Sequence, residues 1–283
     1  CEWLEKQGFS VTYLPVDEYG RVTAEQVEAA ITDQTILITI MAANNEIGTL
    51  MPIGQIAQVA KKHKVLFHTD AVQALGAVPV DVEAWGIDLL SLSAHKFHGP
   101  KGVGLLYIRK GTRIDNLVHG GAQERGRRAG TENLPAIVGM GEAIALAAQS
   151  QPDNAKRLSA MRDRLIAGLL EEIPHIRLNG HPTERLPGNV NVSIRYIEGE
   201  AMLLRLDMAG IAASSGSACT SGSLDPSHVL LAIGLPHEIA HGSLRFSLSD
   251  ESVDADVDEV LKVLPGIVKT LRDMSPIYPG KEG

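Results

Sequence analysis

Between residues 23 and 109 the chain alternates two kinds of apolar spacing. "TAEQVEAAI" (23–31) sets an amphipathic stretch behind a threonine able to cap it, and "PIGQIAQVAKKHK" (52–64) repeats its apolar positions every three to four residues, so both predict helices. "TILITIM" (35–41) is continuous and β-branched. It predicts a strand, as do "VLFHTD" (65–70), "IDLLSLS" (87–93) and "GVGLLYIR" (102–109). Near-continuous apolar strands joined through helices predict a mainly parallel sheet covered on both faces, the α/β class. Ligands of such sheets gather at the carboxyl ends of the strands.

From about 134 to 172 the spacing is helical throughout, and "AKRLSAMRDRLIAGLLEEI" (155–173) predicts a connecting helix. A strand "NVNVSI" (189–194), a helix "GEAMLLRLDMAG" (199–210), a loop "SSGSACTSGSLDPSH" (214–228), a strand "SLRFSLS" (243–249) and a final helix over about 254–272 follow. These predict a smaller α+β domain, with the division at 1–150 and 151–283 and the boundary falling near 150 to 175. The opening "CEWLEKQGF" carries no initiator Met and has the pattern of the second half of a helix running into a strand. The sequence is therefore expected to start inside a domain. No internal repeat is visible.

Composition narrows the classes of function. The 283 residues are 44% hydrophobic, and no apolar run approaches the ~20 residues of a membrane-spanning helix. A formal charge of -8 argues against general attraction to nucleic-acid phosphates. The run Glu124-Arg125-Gly126-Arg127-Arg128 is a local exception, with a solvated loop as its plain reading. Only two cysteines occur, Cys1 and Cys219, which excludes a disulfide framework and suits a reducing cytoplasm. Cys1 is expected to be structural.

Chemistry concentrates in "SLSAHKFHGPKGVG" (91–104). Asp70 ends its strand, Ser93 nearly ends the next, and Lys96 follows three residues later, so all three are expected along one rim of the sheet. Three readings are open. Asp70 and Lys96 could form an ion pair closing a strand end. His68 and Asp70, on one strand face by the period-two rule, could begin a metal site, although no third ligand has recognisable spacing. Or Lys96 could form an imine with a cofactor whose ring nitrogen needs a carboxylate. An amine attacks a carbonyl only when unprotonated, so the last reading expects Lys96 in a desolvated setting. Ser93 and His95 add short polar groups suited to a phosphate. Asn45 in "AANNEIG" and Gln73 in "DAVQ" sit just past other strand ends, within reach of the same rim.

Six stretches in order, "MAANNEIGTL", "FHTDAVQALG", "SLSAHKFHGPKGVG", "QERGRRAGTEN", "SSGSACTSGSLDPSH" and "HGSLRFSLS", resemble the signatures of NifS/IscS-type cysteine desulfurases. These are pyridoxal-phosphate (PLP) enzymes with the fold of class V aminotransferases (aminotransferase fold type I). The likeness spans the whole chain and is nearer the nitrogen-fixation (NifS) branch. In that resemblance the family's N-terminal phosphate loop and ring-stacking histidine lie upstream of residue 1.

The resemblance implies roles for matching positions. Lys96 would hold PLP as an imine and move protons at the substrate Cα, while Asp70 would pair with the pyridinium nitrogen and keep the ring an electron sink. Asn45 and Gln73 would lie near the ring hydroxyl and substrate, and Ser93 and His95 would bind the phosphate. Thr131 in "AGTEN" would reach the phosphate of a neighbouring subunit, which implies a homodimer. Cys219 would be the nucleophile that takes sulfur from L-cysteine as a persulfide, leaving alanine, and Arg245 would clamp the substrate carboxylate. An iron–sulfur scaffold protein would receive the sulfur. Two alternatives stay open: a selenocysteine lyase-type activity, and a catalytically silent sulfur-transfer scaffold, against which the full set of Asp70, Lys96, Cys219 and Arg245 counts.

Overall fold

The computed structural model describes residues 1–216 and 226–279. In chain order the elements are α1 Glu2–Glu5, α2 Ala24–Ala30, β1 Leu37–Thr39, α3 Ile53–His63, β2 Leu66–Asp70, α4 Val82–Trp85, β3 Leu89–Ser93, a 3₁₀ turn Ala94–Phe97, β4 Gly104–Ile108, α5 Gln123–Gly126, α6 Leu134–Glu172, β5 Ile176–Leu178, β6 Asn189–Ile194, α7 Gly199–Met208, α8 His228–Ala232, α9 His237–Ala240, β7 Ser243–Ser247 and α10 Asp254–Met274. They fall into two units: Gln34–Ala43 with Pro52–Ala155, and Cys1–Asp33 with Asn44–Met51 and Lys156–Gly283. Among the described residues no helix is long and apolar enough to cross a membrane.

The first unit is built on a 4-stranded sheet in the order β1-β2-β3-β4. β1, β2 and β3 run parallel and β4 antiparallel, so the mainly parallel α/β expectation holds. α3 forms where the spacing predicts, because Ile53, Ile56, Ala57 and Ala60 make one buried stripe. Its last turn carries Lys61 and Lys62 against the negative helix end, and Lys64 stops it in the left-handed region at φ 57. α4 was not expected from the sequence. It is one turn, held by Asp81 Oδ1, which accepts from Glu83 N and Ala84 N at 2.9 Å each.

Cover on both faces is not what the described residues provide. Ile38, Phe67 and Leu90 share a buried face, whereas Leu37, Leu66 and Leu106 on the other are 43%, 36% and 47% exposed. The connections explain this. β1 to β2 and β2 to β3 step in the same direction across the sheet, so two right-handed crossovers place α3 and α4 on one side.

In the second unit a 3-stranded antiparallel sheet runs β5-β6-β7. Val190, Val192 and Ile194 of β6 are fully buried against Leu165 and Leu169 of α6, Leu206 of α7 and Leu264 of α10. α2 closes with the capping box its sequence offers: Thr23 Oγ1 accepts from Gln26 N at 3.2 Å, and Gln26 Oε1 from Thr23 N at 2.8 Å. α1 matches the opening helix, but the strand expected after it does not form. Its apolar run meets Pro15, which has no N–H for a ladder.

The other face of β6 is polar and equally buried. Asn179 Nδ2 donates to Asn191 Oδ1 and Ser193 Oγ, both at 2.8 Å. Asn189 Nδ2 and Asn191 Nδ2 donate to Glu46 O at 3.1 Å each. Arg185 spreads its guanidinium over the carbonyls of Ile47, Asn179 and His181, at 3.2 to 3.3 Å. The segment 44–49, which carries Asn45, is thereby laid along β6.

Candidate active site

Asp70 is the last residue of β2 and stands in register with Ser91 of β3. Its Oδ1 accepts from Val72 N at 2.9 Å, which orients the carboxylate at the strand end. Ser93 ends β3, and its hydroxyl is hydrogen-bonded to His95 Nδ1 at 2.8 Å. The chain then makes a 3₁₀ turn. With three residues per turn, Ala94 and Phe97 share the inner face, 0% and 3% exposed, while His95 and Lys96 point out.

This corrects one expectation: Lys96 is exposed, not desolvated. The turn's geometry fixes that, because burying Ala94 and Phe97 leaves the residues between them outward. Closure of the turn depends on Gly99, whose N–H donates to Ala94 O at 2.9 Å. A Cβ there would stand 2.9 Å from Ala94 Cβ and 3.0 Å from its carbonyl oxygen, so the approach admits only glycine. Among the described residues no ion pair joins Asp70 to Lys96.

Gln73 lies half-buried in the turn after Asp70, whose Ala71 and Ala74 are fully buried. Thr131 is exposed, two residues before Asn133, whose Oδ1 accepts from Ala136 N at 3.4 Å where α6 begins. Glu124, Arg125, Arg127 and Arg128 are exposed, which agrees with a solvated loop.

His68 has another task than metal binding. Nδ1 is hydrogen-bonded to Thr39 Oγ1 at 2.7 Å and Nε2 to Ser91 Oγ at 2.8 Å, so both ring nitrogens are engaged across β1, β2 and β3. Burial pushes the imidazole pKa below its ordinary 6.5, against the opposing pull of Asp70. The sequence carried a signal for this ladder in Thr39, His68 and Ser91, which sit on three predicted strands, but only the register brings them side by side.

In the second unit, Arg245 of β7 stands opposite Asn191 of β6, on the polar face. Its Nη1 donates to Asn45 O at 3.0 Å, and among the described residues its buried Nε has no hydrogen-bond partner. The guanidinium is thus held at one corner, with a buried nitrogen left without a partner beside it. Asn45 and Arg245 are therefore brought together, 200 residues apart in sequence. Cys219 lies outside the described residues. Cys1, expected to be structural, is a free and exposed thiol. It stands as the N-cap of α1, none of whose residues is buried.

The class-V aminotransferase family model matches residues 1–260. The cysteine desulfurase IscS of Methanosarcina thermophila is 61% identical over 279 residues, covering 99% of this chain and 69% of that protein. The cysteine desulfurase IscS of Clostridium botulinum is 58% identical over 280 residues, covering 98% of this chain and 70% of its own length. A solved NifS-like protein superposes with a TM-score of 0.87 at 39% identity, over 95% of this chain and 71% of that one. Matches this long and this similar, on a parallel sheet with an acid, a serine–histidine pair and a lysine at its rim, make the chain a member of the class-V aminotransferase family.

Proposed function

We propose that the chain is a PLP-dependent cysteine desulfurase, taking sulfur from L-cysteine, leaving L-alanine, and carrying the sulfur as a persulfide on Cys219. The observation that supports this most is the donor set on the rim of the parallel sheet: the Asp70 carboxylate, the Ser93–His95 pair and the Lys96 amine. It fits a pyridine aldehyde phosphate group by group, with an acid for the ring nitrogen, a hydroxyl and an imidazole for the phosphate, and an amine for the aldehyde. Gln73, half-buried in the turn after Asp70, would complete this set. When bound, PLP supplies an electron sink that eases bond breaking at the substrate's α and β carbons.

The residues divide the remaining work. Asp70, aimed by Val72 N, keeps a proton on the ring nitrogen. Lys96 holds the cofactor through Nζ and carries protons to and from the substrate Cα, for which an outward position gives it room to swing. Arg245, steadied by Asn45 O, is assigned the substrate carboxylate, a bidentate task suited to a guanidinium. The Cys219 thiolate bonds to the substrate sulfur as the C–S bond breaks. That bond's electron pair stays with carbon, which takes up a proton to become the methyl group of alanine, so no external oxidant is needed. Thr131 is assigned to the phosphate of a second copy, which makes the working form a homodimer, and an iron–sulfur scaffold protein is the proposed acceptor in the cytoplasm.

Borohydride reduction of the PLP-loaded protein followed by peptide mass measurement tests the reading. A pyridoxyl increment on the peptide bearing Lys96, absent in Lys96→Ala, is the expected result. Cys219→Ser should retain the increment and release no sulfide from cysteine. An increment elsewhere, or normal turnover by Cys219→Ser, overturns the assignment.

A further inference from the structure

Residues 44–49 close on themselves. Asn44 N donates to Thr49 O at 2.9 Å and Gly48 N to Asn44 O at 3.1 Å, and every residue of the segment is buried except Asn45, which is half-buried. The segment is held from outside as well. Glu46 O accepts from Asn189 Nδ2 and Asn191 Nδ2 at 3.1 Å each, which occupies both of its lone pairs, and Ile47 O accepts from Arg185 Nη2 at 3.2 Å. A loop fixed this thoroughly presents Asn45 in one orientation.

That orientation is set at one peptide. Asn44, 7% exposed, turns its side chain forward along the chain, and Oδ1 accepts from Glu46 N at 2.9 Å and from Ile47 N at 3.0 Å. An asparagine that bonds the main chain two residues on builds a turn of its own. The Asn45–Glu46 peptide is trans and planar, so its N–H and C=O point in opposite directions on one rigid plate. Tying the N–H to Asn44 Oδ1 therefore aims the Asn45 carbonyl, and Arg245 Nη1 donates to that carbonyl at 3.0 Å. Among the described residues this is the one hydrogen bond of the Arg245 side chain. Opposite edges of a single peptide thus join Asn44 to Arg245.

We propose that Asn44 is a positioning residue whose side-chain oxygen aims the Asn45 carbonyl and, through it, the guanidinium of Arg245. The linkage stands on geometry within one unit of the fold, and only its consequence for turnover rests on the desulfurase reading, in which Arg245 is assigned the substrate carboxylate. Asn44 touches neither substrate nor cofactor in this assignment. In "AANNEIG" the two asparagines divide the work, Asn45 offering its carbonyl to Arg245 and Asn44 its side chain to the main chain.

The test labels the full chain with phenylglyoxal, which modifies guanidinium groups, and peptide masses give a separate rate for each arginine. In Asn44→Ala the Asn45 peptide loses its hold, so Arg245 should label about threefold faster or more. Asn44→Asp keeps a side-chain oxygen for both N–H groups and should return the rate to within about twofold of the parent. Arg162 and Arg272, 6% and 2% exposed in the same unit, report general loosening, and their rates should stay within about twofold throughout. An unchanged Arg245 rate, failure of Asn44→Asp to restore it, or an equal rise at all three arginines overturns the proposal. Should Asn44→Ala fail to fold, Asn44→Ser, whose hydroxyl makes the same turn more weakly, takes its place under the same criteria. In parallel, PLP-loaded Asn44→Ala should show a KM for L-cysteine raised about fivefold or more with kcat within about twofold of the parent, and Asn44→Asp should restore KM. An unchanged KM in an active enzyme overturns the part assigned to Asn44 in the reaction. A parent that never turns over cysteine removes the desulfurase reading and leaves the labelling result intact.

Discussion

His68 shows how a residue's neighbours choose its chemistry. Both ring nitrogens are spent on Thr39 and Ser91, and burial outweighs the pull of Asp70, so the imidazole is held neutral. The sign of the pH effect follows. In the interval between the lowered folded value and about 6.5, the unfolded chain binds the proton and the folded chain does not, so stability present above about 6.5 is lost as pH falls through the folded pKa. His68→Gln should flatten the loss of urea midpoint between neutral pH and pH ~5 relative to the parent. An unchanged difference between the two pH values would show that His68 is protonated in the fold. Arg185 is the opposite case, a charge kept in spite of burial. Burial first, and then repulsion from Arg162, push its pKa down to about 10 while Asp163 opposes, and its charge is spread over main-chain carbonyls. Spacing made Asp70, Ser93, His95 and Lys96 visible in the sequence because strand ends are local. Nothing local marks Glu46 or Arg185, whose partners lie up to 181 and 138 residues away.

At the scale of elements, the strand Asn189–Ile194 forms with the bounds its sequence predicts, in surroundings its sequence does not show. Strict alternation of polar and apolar residues ordinarily means one face in water. Here both faces are buried, because segments 44–49 and 179–185 cover the polar one, and its side chains act as a hydrogen-bonded ladder. Helices fared well for a plain reason: α3 and α10 carry stripes of buried residues three and four apart, and that period survives any tertiary setting. Short turns such as α4 and the 3₁₀ segment depend on single caps or on packing and leave no period to find. Asn191→Val separates the two readings of β6. Valine has the better strand propensity, so a solvated face would gain stability. The ladder reading expects a loss of about 1–3 kcal/mol in urea unfolding, since Asn179 Nδ2 and Glu46 O each lose a buried partner.

Across the whole molecule, the same difficulty appears as a question of which surfaces are covered. The α/β class follows from local patterns, but coverage of a sheet depends on where its crossovers go, and sequential right-handed connections cover one side. Adjacent residues of β2 make the contrast measurable. Phe67 is 0% exposed, and Leu66 beside it is 36% exposed and paired in register with Leu37, itself 43% exposed. Deleting a buried ring leaves a cavity that the parallel sheet cannot collapse around, so Phe67→Ala should cost about 3–5 kcal/mol in urea unfolding. Leu66→Thr puts a β-branched residue in the strand and gives up little packing, so its cost should be about 1 kcal/mol or less. Equal losses would mean that the leucine face is packed as tightly as the phenylalanine face. That result would return the sheet to the doubly covered form its sequence predicts, with cover on the face that carries Leu37, Leu66 and the Thr39–His68–Ser91 ladder.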